Sequence, residues 1–137
     1  MSCFENKEFI PNPQLWGKGK LCLHHIWQSD SPSAPQVLFL HGAGQNSMAW
    51  LHCAKCLAQS GVHCFMYDLR FHGQSSIDEG ENMLHEQQNL KLDMSMKSLI
   101  EDTFIVLKYI QQKYSIASGS KIGLVGHSLG GALAVRV

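Results

Sequence analysis

The sequence lacks an excess of charge of either sign. Across 137 residues, eleven Lys and Arg stand against eleven Asp and Glu, for a formal net charge of zero at pH 7. That balance removes the basic footprint of a general nucleic-acid binder, and with it the polybasic route to an anionic membrane surface. No apolar run approaches the ~18–20 residues that cross a bilayer as a helix. The start, Met1-Ser2-Cys3-Phe4-Glu5-Asn6-Lys7-Glu8, lacks the basic-then-apolar layout of a secretory signal. Internal repeats, low-complexity tracts and interdomain linkers are missing as well. These absences leave a soluble, intracellular protein of one domain as the expectation.

A disulfide or zinc framework is also missing. The five cysteines, at 3, 22, 53, 56 and 64, are odd in number and follow no repeated spacing. Cys53 and Cys56 form a C-x-x-C pair, but no second pair or histidine cluster follows at zinc spacing. The pair lies within a helical pattern that includes Leu51, Ala54, Leu57 and Ala58, which predicts buried small hydrophobes. Free thiols in this number suit a reducing compartment, cytoplasmic or nuclear.

What is present becomes regular after the first thirty-five residues, which are polar and turn-rich apart from one strand near 21–27. Residues 1–20 read as an N-terminal extension. Val37-Leu38-Phe39-Leu40 is a wholly apolar run ended by His41-Gly42-Ala43-Gly44, the mark of a buried strand. Residues 47–59 predict a helix closed by Gly61, and 62–67 a second buried strand ended by Asp68. A polar loop follows over about 73–94. Met96, Leu99, Ile100, Phe104, Leu107 and Ile110 then recur at helical spacing, with Ser98 to Glu101 as a capping box and Ser95 as a competing N-cap. Residues 121–125 predict a third buried strand, and a helix starts at Ser128. Apolar strands alternating with amphipathic helices specify an α/β class, with a parallel sheet covered on both faces.

Gly126-His127-Ser128-Leu129-Gly130 carries the chemistry. It is a G-x-S-x-G pattern between a strand and a helix, the context in which a serine is lifted onto a strained turn at the carboxyl end of a sheet. Gly126 and Gly130 let strand and helix approach closely enough for that turn. The Leu129 N–H then points at an oxyanion formed at Ser128, and the Ala43 N–H, just after His41-Gly42, is the candidate second donor. His41 itself reads as a brace for the loop rather than a base.

With these residues the chain resembles the N-terminal half of an α/β-hydrolase, over roughly residues 20–137. Asp68-Leu69-Arg70-Phe71-His72-Gly73-Gln74-Ser75 resembles the D-x-R-x-H-G-x-S turn of many members, where Asp, Arg and His are loop scaffolding. The local likeness is to the protein phosphatase methylesterase family. It rests on His41-Gly42-Ala43-Gly44 with Ser47 and Trp50 beyond, on Leu92 to Asp102, and on Val125 to Ala132. Ala43 and Leu129 stand where that family has glycine and methionine.

The resemblance implies that Ser128 attacks the methyl ester on the C-terminal carboxylate of a protein phosphatase 2A catalytic subunit, with Ala43 and Leu129 N–H groups on the oxyanion. No metal or organic cofactor is required. In this fold the triad runs Ser, then Asp or Glu, then His, so the acid and base are expected beyond Val137. The 137-residue chain alone is then expected to be inactive. Two other readings remain open: an esterase, lipase or thioesterase for small-molecule or lipid esters, and a non-catalytic fragment or binding protein. His24 and His25 are expected on opposite faces of a strand, without a shared metal.

Overall fold

A computed structural model describes residues 2–12, 19–31, 33–75, 93–114 and 121–137. Among these residues, five strands form one sheet: β1 (Phe4–Asn12), β2 (Gly19–Trp27), β3 (Gln36–Leu40), β4 (His63–Tyr67) and β5 (Ile122–Gly126). Among the described residues, three α-helices accompany them: α1 (Leu51–Gln59), α2 (Met96–Tyr114) and α3 (Leu129–Arg136). The strand order is β1-β2-β4-β3-β5. The expected parallel unit is there, since β3 pairs in parallel with both β4 and β5. On the β4 side the sheet continues antiparallel through β2 and β1, so it is mixed.

The segment read as an extension supplies β1. Its residues Phe4 to Lys7 are exposed, and only Ile10 and Asn12 reach the interior. An edge strand of that kind carries no apolar run. Its anchors are polar instead. Asn12 Nδ2 donates to Asp102 Oδ1 on α2 at 2.6 Å, and Tyr109 and Tyr114 donate to the Glu8 carboxylate.

Strand alternation divides the apolar residues between two layers. Leu38, Leu40, Phe65 and Tyr67 face α2 and α3, where Leu99, Val106, Ile110 and Leu133 meet them. Phe39, Cys64 and Met66 face α1, against Ala54 and Ala58. Helices therefore cover both faces, as expected of strands that are apolar throughout.

Local chemistry moves several boundaries. The helix expected over 47–59 opens as a 3-10 turn, Ser47–Trp50, with Asn46 accepting from the Met48 N–H, before α1 begins. Gly61 lies just past its end at φ 94°, where a side chain would be strained. Ser95, not Ser98, caps α2, because the Ser98 N–H donates to Ser95 Oγ. The stripe of α2 is rotated from the one expected: Asp102 and Thr103 are buried, while Phe104 is 53% exposed. Cys53 and Cys56 are exposed, since α1 turns Ala54 and Ala58 inward and leaves the thiols on its outer face. β5 is an edge strand and only half-buried. Trp50 packs on Phe39 as an anchor, with ring centroids 5.1 Å apart. Trp16, the 78–81 loop tip and most of the 73–94 loop lie outside the described residues.

Candidate active site

The three parallel strands end in register, at Leu40, Tyr67 and Gly126, so the turns that follow them share one rim of the sheet. The turn after β5 carries Ser128 at φ 55° and ψ −116°. A residue with a Cβ held there costs of order 1–3 kcal/mol and persists only where its surroundings enforce it. They do so here. The His127 N–H donates to the Leu40 carbonyl at 3.1 Å, and the Gly130 N–H to the His127 carbonyl at 2.9 Å. A Cβ at Gly126 would overlap the Gly130 carbonyl, and one at Gly130 would overlap that of Leu40. Strand and helix therefore meet backbone to backbone, which only glycine permits.

Ser128 occupies the N-cap position of α3, yet its hydroxyl makes no capping bond. A serine there ordinarily satisfies an amide of the first turn. This hydroxyl is exposed on the rim instead, beside the positive end of a helix dipole.

The turn after β3 sits against the elbow. A Cβ on Gly42 would come within 3.3 Å of both the His127 carbonyl and its Nδ1. The Gly42 N–H is held by Gln45 Oε1 at 3.0 Å, and the Gly44 N–H by His72 Nε2 at 3.0 Å. Among the described residues, the N–H groups of Ala43 and Leu129 donate to no protein acceptor. A small cavity of about 160 Å³ is lined by Gln45, Ala49, Trp50 and His127.

The turn after β4 is the scaffold expected of Asp68, Arg70 and His72. Asp68 Oδ1 accepts from the Ser47 N–H at 2.7 Å and Oδ2 from the Gln74 N–H at 2.9 Å. Gly73, at φ 52°, packs so tightly on this carboxylate that a Cβ would overlap it. Ser75 Oγ donates to the Asp68 carbonyl and accepts from the Cys22 N–H at 2.8 Å, which ties the turn to β2.

The two histidines here have fixed tautomers. The Leu69 N–H donates to His41 Nε2 at 2.9 Å, so His41 Nδ1 carries the proton given to the Gly42 carbonyl. The Gly44 N–H likewise fixes His72, whose Nδ1 donates to the Arg70 carbonyl at 2.8 Å. Burial pushes the His41 imidazole below its usual range, with its bond to Gly42 opposing. Both rings act as braces. Among the described residues, no imidazole bonds to the Ser128 hydroxyl.

Asp102 is the residue that the sequence reading did not single out. Its carboxylate holds Arg70 through two bonds, Nε to Oδ2 at 2.6 Å and Nη2 to Oδ1 at 2.7 Å, and so fastens the turn to α2. The available signal was an acid one residue from Thr103 on a helix whose neighbouring turns are apolar.

Comparison with known proteins decides the family. The model of the hydrolase family described as serine aminopeptidase, S33, matches residues 31–137. The chain belongs to this family. Over 121 residues it is 32% identical to the protein phosphatase methylesterase 1 of Emericella nidulans, covering 84% of this chain and 29% of that protein. It is 33% identical to the enzyme of the same name from Aspergillus oryzae, covering 83% and 26%. The chain thus spans under a third of the length of these curated relatives. Among solved structures, a thioesterase domain from the curacin biosynthetic pathway superposes with a TM-score of 0.68 at 27% identity, over 97% of this chain and 40% of that one. The α/β-hydrolase fold and the likeness to methylesterases are both established. Among the described residues, no helix is long and apolar enough to cross a membrane.

Proposed function

We propose that Ser128 is the nucleophile of a serine carboxylic-ester hydrolase, and that the backbone N–H groups of Ala43 and Leu129 receive its oxyanion. The observation that carries this reading is Ser128 itself, at φ 55° between two glycines that admit no Cβ, with an unused hydroxyl on the rim. Relatives named protein phosphatase methylesterase 1 support a methyl ester on a protein phosphatase as substrate. The finer assignment is the C-terminal carboxylate of the protein phosphatase 2A catalytic subunit.

Ser128 Oγ attacks the ester carbonyl as a base takes its proton, and the negative charge moves to the carbonyl oxygen between the two amides. The tetrahedral intermediate collapses, and the methoxide leaves with that proton as methanol. Water then hydrolyses the acyl-enzyme, returning the free carboxylate and Ser128. Without a base to take its proton, the Ser128 hydroxyl is far from ionised at neutral pH. All five cysteines are free, which supports a reducing compartment, cytoplasm or nucleus.

The test uses the full-length natural protein. A fluorophosphonate should label Ser128, and Ser128→Ala should abolish both labelling and demethylation of a methyl-esterified phosphatase tail peptide. A protein that resists the probe is a binding protein. One that is labelled but cleaves only p-nitrophenyl acyl esters has a small-molecule substrate.

A further inference from the structure

A second cluster of reactive side chains lies outside the elbow. Cys22 and His24, two residues apart on β2, share the face of the sheet that carries α1, while His25 points to the other. Asp68 joins them from the end of β4, where its N–H donates to the Cys22 carbonyl at 3.0 Å. One ligand atom from each of the three lies within 4.8 Å of the others.

The sulfur-to-nitrogen spacing fits a tetrahedral zinc. Cys22 Sγ and His24 Nε2 are 3.5 Å apart. In a tetrahedral zinc site, with Zn–S ~2.3 Å and Zn–N ~2.0 Å, the S-to-N edge is about 3.5 Å. Each Asp68 oxygen accepts one backbone N–H and keeps a lone pair for a metal. Thiolate, imidazole and carboxylate together suit zinc better than magnesium or calcium, which take oxygen ligands.

An independent observation points to the same place. A cavity of about 150 Å³ adjoins the cluster, lined by His24, Ser47, Asp68, Gly73 and Gln74 among others. Ser47 is 1% exposed, and its Oγ has no partner among the described residues. A water on the ion's fourth position would lie in this cavity and supply the missing hydrogen bond.

We propose that Cys22, His24 and Asp68 bind a zinc ion, with water as fourth ligand, clipping β2 to the turn that follows β4. Binding replaces the thiol proton: Cys22–SH and Zn²⁺ give the zinc thiolate and a proton released to solvent. The elbow chemistry uses none of the three as a reacting group, so this inference is independent of the proposed esterase.

The test is metal alone on the full-length protein. Purified, chelator-stripped protein should take up one Zn²⁺, and Co²⁺ in its place should show the visible absorption of a tetrahedral site with a thiolate charge-transfer band. Cys22→Ser should abolish the thiolate band, and His24→Asn, at a partly exposed position, should weaken binding at least tenfold. The exposed His52 and Cys56, 3.8 Å apart on α1, are the control. If Cys56→Ser removes the bound metal while Cys22→Ser retains it, the proposal is overturned. Failure of the chelator-stripped wild-type protein to take up Zn²⁺ overturns it too, and needs no variant.

Discussion

Arg70 and Asp102 face each other as a two-pronged ion pair, with their side chains 3% and 0% exposed. The pair joins the turn after β4 to α2 across 32 residues of chain. Its hydrogen bonds to Asp102 raise the guanidinium above its usual range, so Arg70 stays charged in the interior. Breaking such a pair from one side strands the other charge, at about 3–5 kcal/mol. Asp102→Ala in the full-length protein should lose that much in a denaturant titration, and Arg70→Met/Asp102→Leu should recover most of it. A single variant as stable as wild type would remove the pair from any role in holding the turn.

The elbow makes a sharper prediction, because three glycines within six residues have unequal surroundings. A methyl group at Gly126 or Gly130 overlaps backbone carbonyls, whereas at Gly131 its nearest neighbour is 3.4 Å away, an ordinary contact. Gly126→Ala and Gly130→Ala should each abolish fluorophosphonate labelling of Ser128. Gly131→Ala should leave labelling intact and, lying in a helix, gain up to about 1 kcal/mol of stability. Equal effects at all three positions would mean the turn tolerates what its geometry forbids.

The legible parts of the sequence were those where burial is carried by apolar side chains. Strands β3 and β4 lie inside the sheet and are covered on both faces, so Leu38, Phe39, Phe65 and Met66 form runs that periodicity detects. The turn at Ser128 was legible because its glycines have a steric duty. Strand β1 was not, because an edge strand anchored by Glu8 and Asn12 has polar residues where a core strand has apolar ones. Phe104 was assigned to the wrong side of α2 for a related reason. Asp102 and Thr103 occupy the interior there, satisfied by Arg70 and by Tyr67, and a hydrophobic pattern has no means of registering a buried polar partner. The Cys22, His24 and Asp68 grouping joins Asp68 to residues 44 and 46 positions before it, and only the pairing of β2 with β4 brings them together.

His41 separates a brace from a base. Its Nε2 is occupied by the Leu69 N–H and its Nδ1–H by the Gly42 carbonyl, so no lone pair remains for a substrate proton. His41→Leu leaves the buried Leu69 N–H without an acceptor, at about 1–3 kcal/mol. Stability should fall by that amount, while the pH profile of Ser128 labelling should keep its midpoint. A shifted or abolished midpoint would make His41 part of the proton-transfer machinery.

The last prediction concerns acid stability and rests on His25. His63 Nε2 donates to the Ser29 carbonyl at 2.6 Å, so His63 Nδ1 is a lone pair, and His25 Nε2–H donates to it at 2.9 Å. His25 Nδ1 is therefore a lone pair too, buried without a partner among the described residues. The ring is stacked between Trp27 and Phe65, at centroid distances of 4.1 and 4.3 Å. Protonating it would bury a charge beside another imidazole, and burial, then His63, lowers its pKa from 6.5 to about 3. Between these values the unfolded chain binds a proton that the folded chain refuses, so stability is full above about pH 6.5 and falls as pH drops toward 3. The slope is about 1.4 kcal/mol per pH unit for one group. It is read most cleanly between pH 6.5 and 5, above the range where carboxylates titrate. His25→Phe keeps the stacking and should flatten this limb of the stability profile. A variant with an unchanged slope would assign the acid sensitivity to another histidine.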